Sequence, residues 1–138
     1  MTEFRNLHDF ARVARTRLAK GEWDYLTGGA ETETSLRRNR MGLDSLAFRP
    51  SVLNDVSKVD ASGQLLGQRL RIPVLPAPLG SIQLFDEDGA AAIARASSDF
   101  GTMMILSSVC EPGFEEVARI GSCPKIYQLY LYGDWAWM

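Results

Sequence analysis

A regular alternation of short apolar runs with helical segments constrains this chain more than any other sequence feature. The apolar runs cover residues 74–77, 103–106 and 126–131, and the segments between them, 88–100 and 114–120, have helical spacing. Strands and helices that succeed each other in this way are typical of βαβ units in a parallel sheet. We therefore predict an α/β fold whose second half contains three parallel strands.

The helix over residues 88–100 has the clearest sequence signals. Asp88 is expected to cap its beginning, and Gly101 is expected to end it before the next strand. Apolar residues at helical spacing predict one buried face against the sheet. That face is predicted to comprise Ile93, Ala96 and Phe100.

The opening part of the chain is also predicted to be helical. Apolar residues recur at helical spacing over residues 7–18, with Asn6 as a cap and Gly21 as a stop. A short second helix around residues 23–26 is expected to end at Gly28. Both segments are too short to be stable alone, so we expect them to depend on packing.

Two further elements precede the first apolar run. A third helix, with Thr32 or Thr34 as its cap, is predicted to run toward Met41. The residues on either side of Gly67 are predicted to pair as a small hairpin within residues 61–73. The first half of the chain is therefore expected to contribute no strand to the parallel sheet.

Charge and composition exclude several classes of function. The chain has 15 basic and 17 acidic side chains, a net charge of −2 and a pI of about 5.4. Its basic residues are scattered, whereas nucleic-acid binding needs a clustered basic face. The most apolar segment, residues 72–79, contains three prolines and is too short to span a bilayer. We expect no nucleic-acid partner, no membrane span and, without a visible signal peptide, a cytoplasmic location.

Metal-binding and nucleophilic residue types are sparse. Cys110 and Cys123 form no CxxC pair and have no accompanying histidines, which excludes a zinc or iron–sulfur site and indicates reduced thiols. His8 is the only histidine and is expected to be a surface residue on an exposed helix. The acidic groups at residues 86–88 and 115–116 precede helices, where the helix dipole accounts for them.

Ligands of parallel α/β sheets gather at the carboxyl ends of the strands, so these ends are the first candidates for a site. The first run ends in a loop with Pro78 and Gly80, which is either a simple turn or a close backbone approach to a ligand. The second run ends in Ser107 and Ser108, whose hydroxyls bond either a ligand or the following turn.

The third run places Gln128 and Tyr130 on one face and Leu129 and Leu131 on the other, because side chains alternate along a strand. The leucines are expected to face helices, and the amide and the phenol are expected to point inward. Inward-pointing polar groups need hydrogen-bond partners. Either a planar polar ligand or ordered water would supply them.

Short motifs occur in a fixed order along nearly the whole chain. In the helical part they are Asp24-Tyr25, Gly28-Gly29-Ala30, Glu33-Thr34, Phe48-Arg49-Pro50 and Asp55-Val56-Ser57. In the later part they are Ala77-Pro78-Leu79-Gly80, Asp88-Gly89, Ala94-Arg95-Ala96, Leu106-Ser107-Ser108, Glu115-Glu116-Val117-Ala118 and Gln128-Leu129-Tyr130. This ordered set resembles the FMN-dependent L-2-hydroxy acid oxidases and dehydrogenases, the family of glycolate oxidase, lactate oxidase, and the lactate and mandelate dehydrogenases.

The resemblance implies the amino-terminal part of a (β/α)8 TIM barrel that holds FMN at its carboxyl end. In this interpretation the chain is a single incomplete domain, with a helical lead-in over residues 1–60, the hairpin over 61–73 and the first three barrel strands over 74–138. Hydride is expected to pass from the substrate's hydroxyl-bearing carbon to N5 of the flavin, which yields a 2-oxo acid. Full-length relatives are expected to be homo-oligomers.

The resemblance also assigns contacts with the cofactor. Pro78, Leu79 and Gly80 are expected to lie against the flavin ring, with the backbone N–H of Gly80 near N5. Ser107 and Gln128 are expected to bond the polar edge of the ring. These five residues come from the ends of all three predicted strands.

Two phenols are the expected substrate-binding groups. Tyr25 is expected to donate to the substrate carboxylate. Tyr130 is expected to donate to the oxygen that changes from hydroxyl to carbonyl, which makes it the expected catalytic residue. The family's histidine base, its carboxylate-binding arginine, its flavin-facing lysine and its phosphate loop are expected beyond Met138. The chain alone is therefore expected to be inactive.

Two other hypotheses remain open at this point. One is another FMN-dependent TIM-barrel enzyme, such as an isomerase or a nucleotide dehydrogenase, which would lack Asp24-Tyr25 together with the Gln128 and Tyr130 pair. The other is a non-catalytic partial barrel that serves as an interaction module. Such a module would need polar residues along its exposed strand edge, and residues 126–131 show no such replacement.

Overall fold

The chain divides into two compact units. The structure, a computed structural model, describes residues 4–136. We call residues 1–56 the helical unit and residues 57–138 the sheet unit. Each is described by itself below.

The helical unit contains α1 (Leu7–Arg17), α2 (Lys20–Thr27) and α3 (Thr34–Asp44). Asn6 caps α1 as predicted, because its side-chain oxygen accepts hydrogen bonds from the backbone N–H groups of the next turn at 2.9 and 3.2 Å. Gly28 follows the end of α2, also as predicted.

Two predicted helix boundaries in this unit are wrong. The first helix ends at Leu18, not at Gly21, because the Ala19 N–H donates to the Glu22 carboxylate at 3.0 Å and starts α2. Gly21 lies inside that second helix.

The third helix also begins differently from the prediction. Its N-cap is Glu33, in a left-handed conformation with φ of 56°, rather than Thr32 or Thr34. The two threonine hydroxyls instead bond each other at 2.9 Å, and the helix continues to Asp44.

The sheet unit begins with the predicted hairpin, formed by β1 (Gly63–Leu65) and β2 (Gln68–Leu70). The strands are antiparallel, and the turn between them consists of Leu66 and Gly67 with φ values of 49° and 76°. Two consecutive positive φ values are the signature of a type I′ turn, in which glycine is favoured. The hairpin prediction is confirmed.

The parallel sheet consists of β3 (Met104–Ser107) and β4 (Lys125–Gln128). Met104 pairs with Lys125 at one end, and Ser107 pairs with Gln128 at the other. The second and third predicted strands are therefore present and parallel, although β4 ends three residues before Leu131.

The first predicted strand, residues 74–77, is not part of the sheet ladder. Its segment contains Pro76 and is flanked by prolines, which have no N–H to donate. It still lies along β3, because the Ile105 N–H donates to the Pro76 carbonyl at 3.2 Å and the Thr102 hydroxyl donates to the Val74 carbonyl at 2.6 Å. The neighbouring Met104 N–H points to the β4 side. The proline segment thus runs along the edge of β3 opposite β4.

Two helices, α4 (Gly89–Phe100) and α5 (Phe114–Ala118), accompany the sheet. Gly101 ends α4 as predicted, in a left-handed conformation with φ of 85°. Asp88 occupies the N-cap position, but its side chain forms an ion pair with Arg95 instead of a capping bond.

The buried face of α4 differs from the prediction. Ala96 and Phe100 are exposed and Ile93 is only half-buried, whereas the small residues of the helix are buried. Small side chains let the helix approach the sheet closely, and the Phe100 ring instead packs against the Arg71 guanidinium at 4.9 Å. The core cluster of the unit comprises Ala90, Ala94, Met104, Leu106, Cys110, Val117 and Cys123.

The cysteines and the histidine behave as the sequence indicated. Cys110 and Cys123 are free thiols, both buried in this core, and burial raises the pKa of the Cys110 thiol. His8 is exposed on α1. Over residues 4–136, the helices are all too short and too polar to cross a membrane.

Candidate active site

Three segments meet at the carboxyl end of the parallel sheet. β3 ends at Ser107 and β4 ends at Gln128, and these two residues are paired in register. The loop after the proline segment joins them, because the Ser81 N–H donates to the Val109 carbonyl at 2.8 Å. The ends of two strands and one loop thus form the candidate site, where parallel sheets usually bind ligands.

Gln128 is the last residue of β4 and is half-buried. Its carboxamide forms no hydrogen bond with any residue that the structure describes. A primary amide has two donor hydrogens and an acceptor oxygen, so this side chain can bond both kinds of ligand atom.

Ser107 is 4% exposed and is partly used by the protein itself. Its hydroxyl oxygen accepts from the Val109 N–H at 3.2 Å, and its carbonyl accepts from the Cys110 thiol at 3.0 Å. The turn-forming role that the sequence left open is therefore present. The hydroxyl proton of Ser107 has no acceptor in residues 4–136 and is the group left for a ligand.

Tyr130 lies two residues beyond the end of β4 and is 48% exposed. Its backbone N–H donates to the Ser108 hydroxyl at 3.2 Å, and the Ser108 N–H donates to the Gln128 carbonyl at 3.0 Å. Sequence reasoning assigned Ser108 no place in the site. The available signal was the pair of serines at the end of a strand.

The loop of the site contains Pro78 and Gly80, both half-buried, and Leu79, which is 46% exposed. The left-handed residue in this loop is Ser81, with φ of 54°. Its conformation is stabilised by the bond to Val109 and by the 3.0 Å bond from the Leu84 N–H to its own carbonyl. The loop therefore offers a partly apolar surface on a well-anchored backbone.

The leucines beyond β4 do not match the prediction that they pack against helices. Leu129 is 60% exposed and Leu131 is 69% exposed. Residues 129–136 form no helix, so no such element covers these side chains within the described part of the chain. The predicted start of a helix at 134–138 is a turn over residues 135–136, and residues 137 and 138 lie outside the described residues.

Tyr25, the remaining predicted site residue, belongs to the helical unit. It lies on α2 and is 63% exposed. The structure brings the other six predicted residues to one end of one sheet. All six are uncharged, so this end can bond and pack against a ligand but contains no acid or base of its own.

Other candidate positions contain no metal site or enclosed cavity near these residues. A cleft of about 340 Å³ lies at the beginnings of α4 and α5, and its lining includes Glu87, Asp88, Glu111 and Glu116. None of the predicted site residues lines it. Within residues 4–136, no cluster of three histidine, cysteine or acidic side chains could hold a metal ion.

The family of the chain follows from its match to a family model. The model described as "FMN-dependent dehydrogenase" matches residues 14–138. The chain belongs to this family. FMN is the family's cofactor, so the predicted family and cofactor are confirmed.

Curated relatives agree with this assignment. Glycolate oxidase 1 of Oryza sativa subsp. indica is 40% identical over 134 residues, which cover 97% of this chain and 36% of the relative. Glycolate oxidase of Spinacia oleracea is 36% identical over 132 residues, again 36% of its length. The chain thus spans slightly more than a third of the curated relatives it matches.

Solved structures with the same fold are enzymes of this family. The membrane-associated (S)-mandelate dehydrogenase of Pseudomonas putida, crystallised as a soluble mutant, has a TM-score of 0.89 and 33% identity. The match covers 95% of this chain and 38% of that chain. A mandelate oxidase bound to 3,3-difluoro-2-hydroxy-3-phenylpropionic acid has a TM-score of 0.88 at 33% identity, over 95% of this chain and 39% of the other. The prediction of a partial TIM barrel is confirmed, and no closed barrel forms within residues 4–136.

Proposed function

We propose that this chain supplies the amino-terminal part of an enzyme that oxidises an L-2-hydroxy acid to the 2-oxo acid with FMN. The observation that carries the proposal is the family match over residues 14–138. The substrate class is supported by a relative described as a peroxisomal (S)-2-hydroxy-acid oxidase of Oryza sativa subsp. indica, 39% identical over 127 residues. Its name specifies both the functional group and its configuration.

The residues at the carboxyl end of the sheet fit a flavin. FMN would supply the hydride acceptor. The unpartnered Gln128 amide and the free Ser107 proton are the hydrogen-bonding groups that would hold its polar edge. Pro78, Leu79 and Gly80 would lie against the ring and exclude water from one side of it.

Tyr130 would contact the substrate oxygen that changes from hydroxyl to carbonyl. Its phenol forms no hydrogen bond with the described residues, and half of the side chain is exposed, so its proton is available to a substrate. A donor aimed at a reacting oxygen typically contributes about 2.7 to 4 kcal/mol to catalysis. Tyr25 would bind the substrate carboxylate in the completed enzyme.

No residue near Tyr130 in the described part of the chain can take the hydroxyl proton. The six site residues of the sheet unit have no basic group, and His8 is an exposed residue of α1. A general base typically contributes about 10²- to 10⁴-fold to the rate. We therefore expect the base to come from outside residues 1–138 and expect no turnover by this chain alone.

A chimera tests the proposal. Residues 1–138 would be joined to the remaining strands of (S)-mandelate dehydrogenase; an active chimera of that enzyme has a TM-score of 0.86 to this chain. Anaerobic addition of glycolate or (S)-mandelate should bleach the flavin absorbance and yield the 2-oxo acid, whereas (R)-mandelate should not. A flavin-loaded chimera that no 2-hydroxy acid reduces would contradict the proposal and favour another FMN-dependent reaction.

A further inference from the structure

The hydrogen-bond ladder between β3 and β4 ends on a side chain. The Ser108 N–H donates to the Gln128 carbonyl at 3.0 Å, which continues the parallel pattern. In that pattern the next bond runs from the N–H two residues further along to the backbone carbonyl of the residue that has just donated. Here the Tyr130 N–H donates to the Ser108 hydroxyl at 3.2 Å instead.

The reason lies in the turn that follows β3. The Val109 N–H bonds the Ser107 hydroxyl, the Cys110 thiol bonds the Ser107 carbonyl, and residues 108–109 form a turn. The backbone therefore leaves the strand direction at Ser108. A short hydroxyl side chain at this position extends the pairing by one bond, to a residue beyond β4.

We propose that Ser108 is a positioning residue that orients Tyr130 toward the substrate. The inference rests on the function proposed above. The Tyr130 phenol has no hydrogen bond or ring contact with the described residues, and Leu129 and Leu131 on either side are exposed. The bond to Ser108 is thus the interaction that fixes the backbone of Tyr130, and with it the direction of the phenol.

The role differs from ordinary structural support. Tyr130 is 48% exposed, so water can bond its N–H when the serine hydroxyl is removed. Folding should then change little. The direction of the phenol should change more, because a catalytic group displaced by about 1 Å can cost about a hundredfold in rate.

The experiment compares Ser108→Ala with Ser108→Thr, which keeps a hydroxyl, and with Ser122→Ala, an exposed serine in the loop before β4. In the 138-residue chain, Ser108→Ala should speed hydrogen exchange of the Tyr130 amide by about threefold to tenfold. In the flavin-loaded chimera it should lower kcat by at least about tenfold, with the FMN dissociation constant unchanged. Ser108→Thr should restore both values, and Ser122→Ala should change neither.

The outcomes separate the inference from the proposed function. Unchanged Tyr130 exchange in Ser108→Ala would overturn the inference, as would faster exchange with an unchanged kcat or a failure of Ser108→Thr to restore the rate. An unsubstituted chimera that oxidises no 2-hydroxy acid would refute the proposed function, and with it the catalytic purpose of the clamp. The exchange measurement would still decide whether the Ser108 hydroxyl holds Tyr130.

Discussion

The two units of the chain bury very different kinds of residue. Every buried apolar residue in the described part lies in the sheet unit, including Met104, Leu106 and Val117. In the described residues of the helical unit the one buried residue is an aspartate, Asp9, and Leu53 is fully exposed. The comparison teaches that good helix signals do not by themselves make a core.

The helical unit is held together by local interactions. Asp9 accepts from the Arg5 N–H at 2.8 Å and pairs with Arg12, and Arg40 pairs with Asp44 at 2.7 Å along α3. Exposed ion pairs of this kind typically contribute about 0 to 1 kcal/mol each. The sheet unit instead gains its stability from apolar contacts between elements distant in sequence, which are individually larger.

The largest expected difference between the units comes from truncating a leucine in each. Leu106→Ala should lower the free energy of unfolding by about 2 to 5 kcal/mol, because the side chain is 2% exposed and leaves a cavity in the core. Leu53→Ala should change it by less than about 0.5 kcal/mol. Urea denaturation followed by circular dichroism measures both. Equal losses would mean that Leu53 has a buried environment and that the comparison is wrong.

A smaller effect is expected at the first helix cap. Asn6→Ala should cost the helical unit about 1 kcal/mol, since two N–H groups of the first turn lose their acceptor. Asn6→Asp keeps an acceptor oxygen and should behave like the unsubstituted chain. Thermal melting monitored at 222 nm, a wavelength that reports helix content, tests both variants; an Asn6→Ala chain with unchanged melting would show that the cap contributes nothing.

Two glycines should respond to alanine with opposite signs. Gly67→Ala should destabilise the hairpin by about 1 kcal/mol, because the residue has φ of 76°. Gly42→Ala should stabilise α3 by about 0.5 to 1 kcal/mol, since it lies inside a helix with open space around its Cα. Denaturation midpoints of the two variants are the measurement. Shifts of the same sign would contradict the backbone conformations assigned to these positions.

The smallest predicted effect is a pH dependence in the helical unit. The Arg5 N–H and then the Arg12 guanidinium hold the pKa of Asp9 below its ordinary value. A lowered folded-state pKa contributes stability above the ordinary aspartate pKa of about 3.9, and this contribution is lost as the pH falls through the lowered value. Asp9→Asn should therefore be less stable at neutral pH, with a difference that narrows on acidification. A difference that is constant between pH 7 and about pH 2 would argue against this ion pair.

Local sequence signals predicted the boundaries that depend on single residues. Asn6, Gly28 and Gly101 end or begin helices as expected, and Gly67 forms the hairpin turn. In each case the signal is a capping oxygen or a permitted backbone conformation, and both are properties of a few neighbouring residues. Such features can be inferred without knowing what the segment packs against.

Features that depend on pairing between distant segments were not predictable in this way. The apolar run at residues 74–77 resembles a strand, but its prolines leave no donors for a ladder. The buried face of α4 consists of small residues, because closeness to the sheet, not hydrophobicity, decides which side chains are covered. The bond from Tyr130 to Ser108 joins residues 22 positions apart and requires the β3–β4 register to be known.

The central claim is that Gln128 holds the flavin while Tyr130 acts on the substrate, and one pair of variants in the chimera tests it most directly. Tyr130→Phe removes the donor and little volume, so the rate of flavin reduction by an L-2-hydroxy acid should fall by about 10²- to 10³-fold while FMN stays bound. Gln128→Ala should instead weaken FMN binding, measured as flavin retained after gel filtration. If both variants keep the unsubstituted rate and full flavin occupancy, the assignment of these residues to the site is wrong.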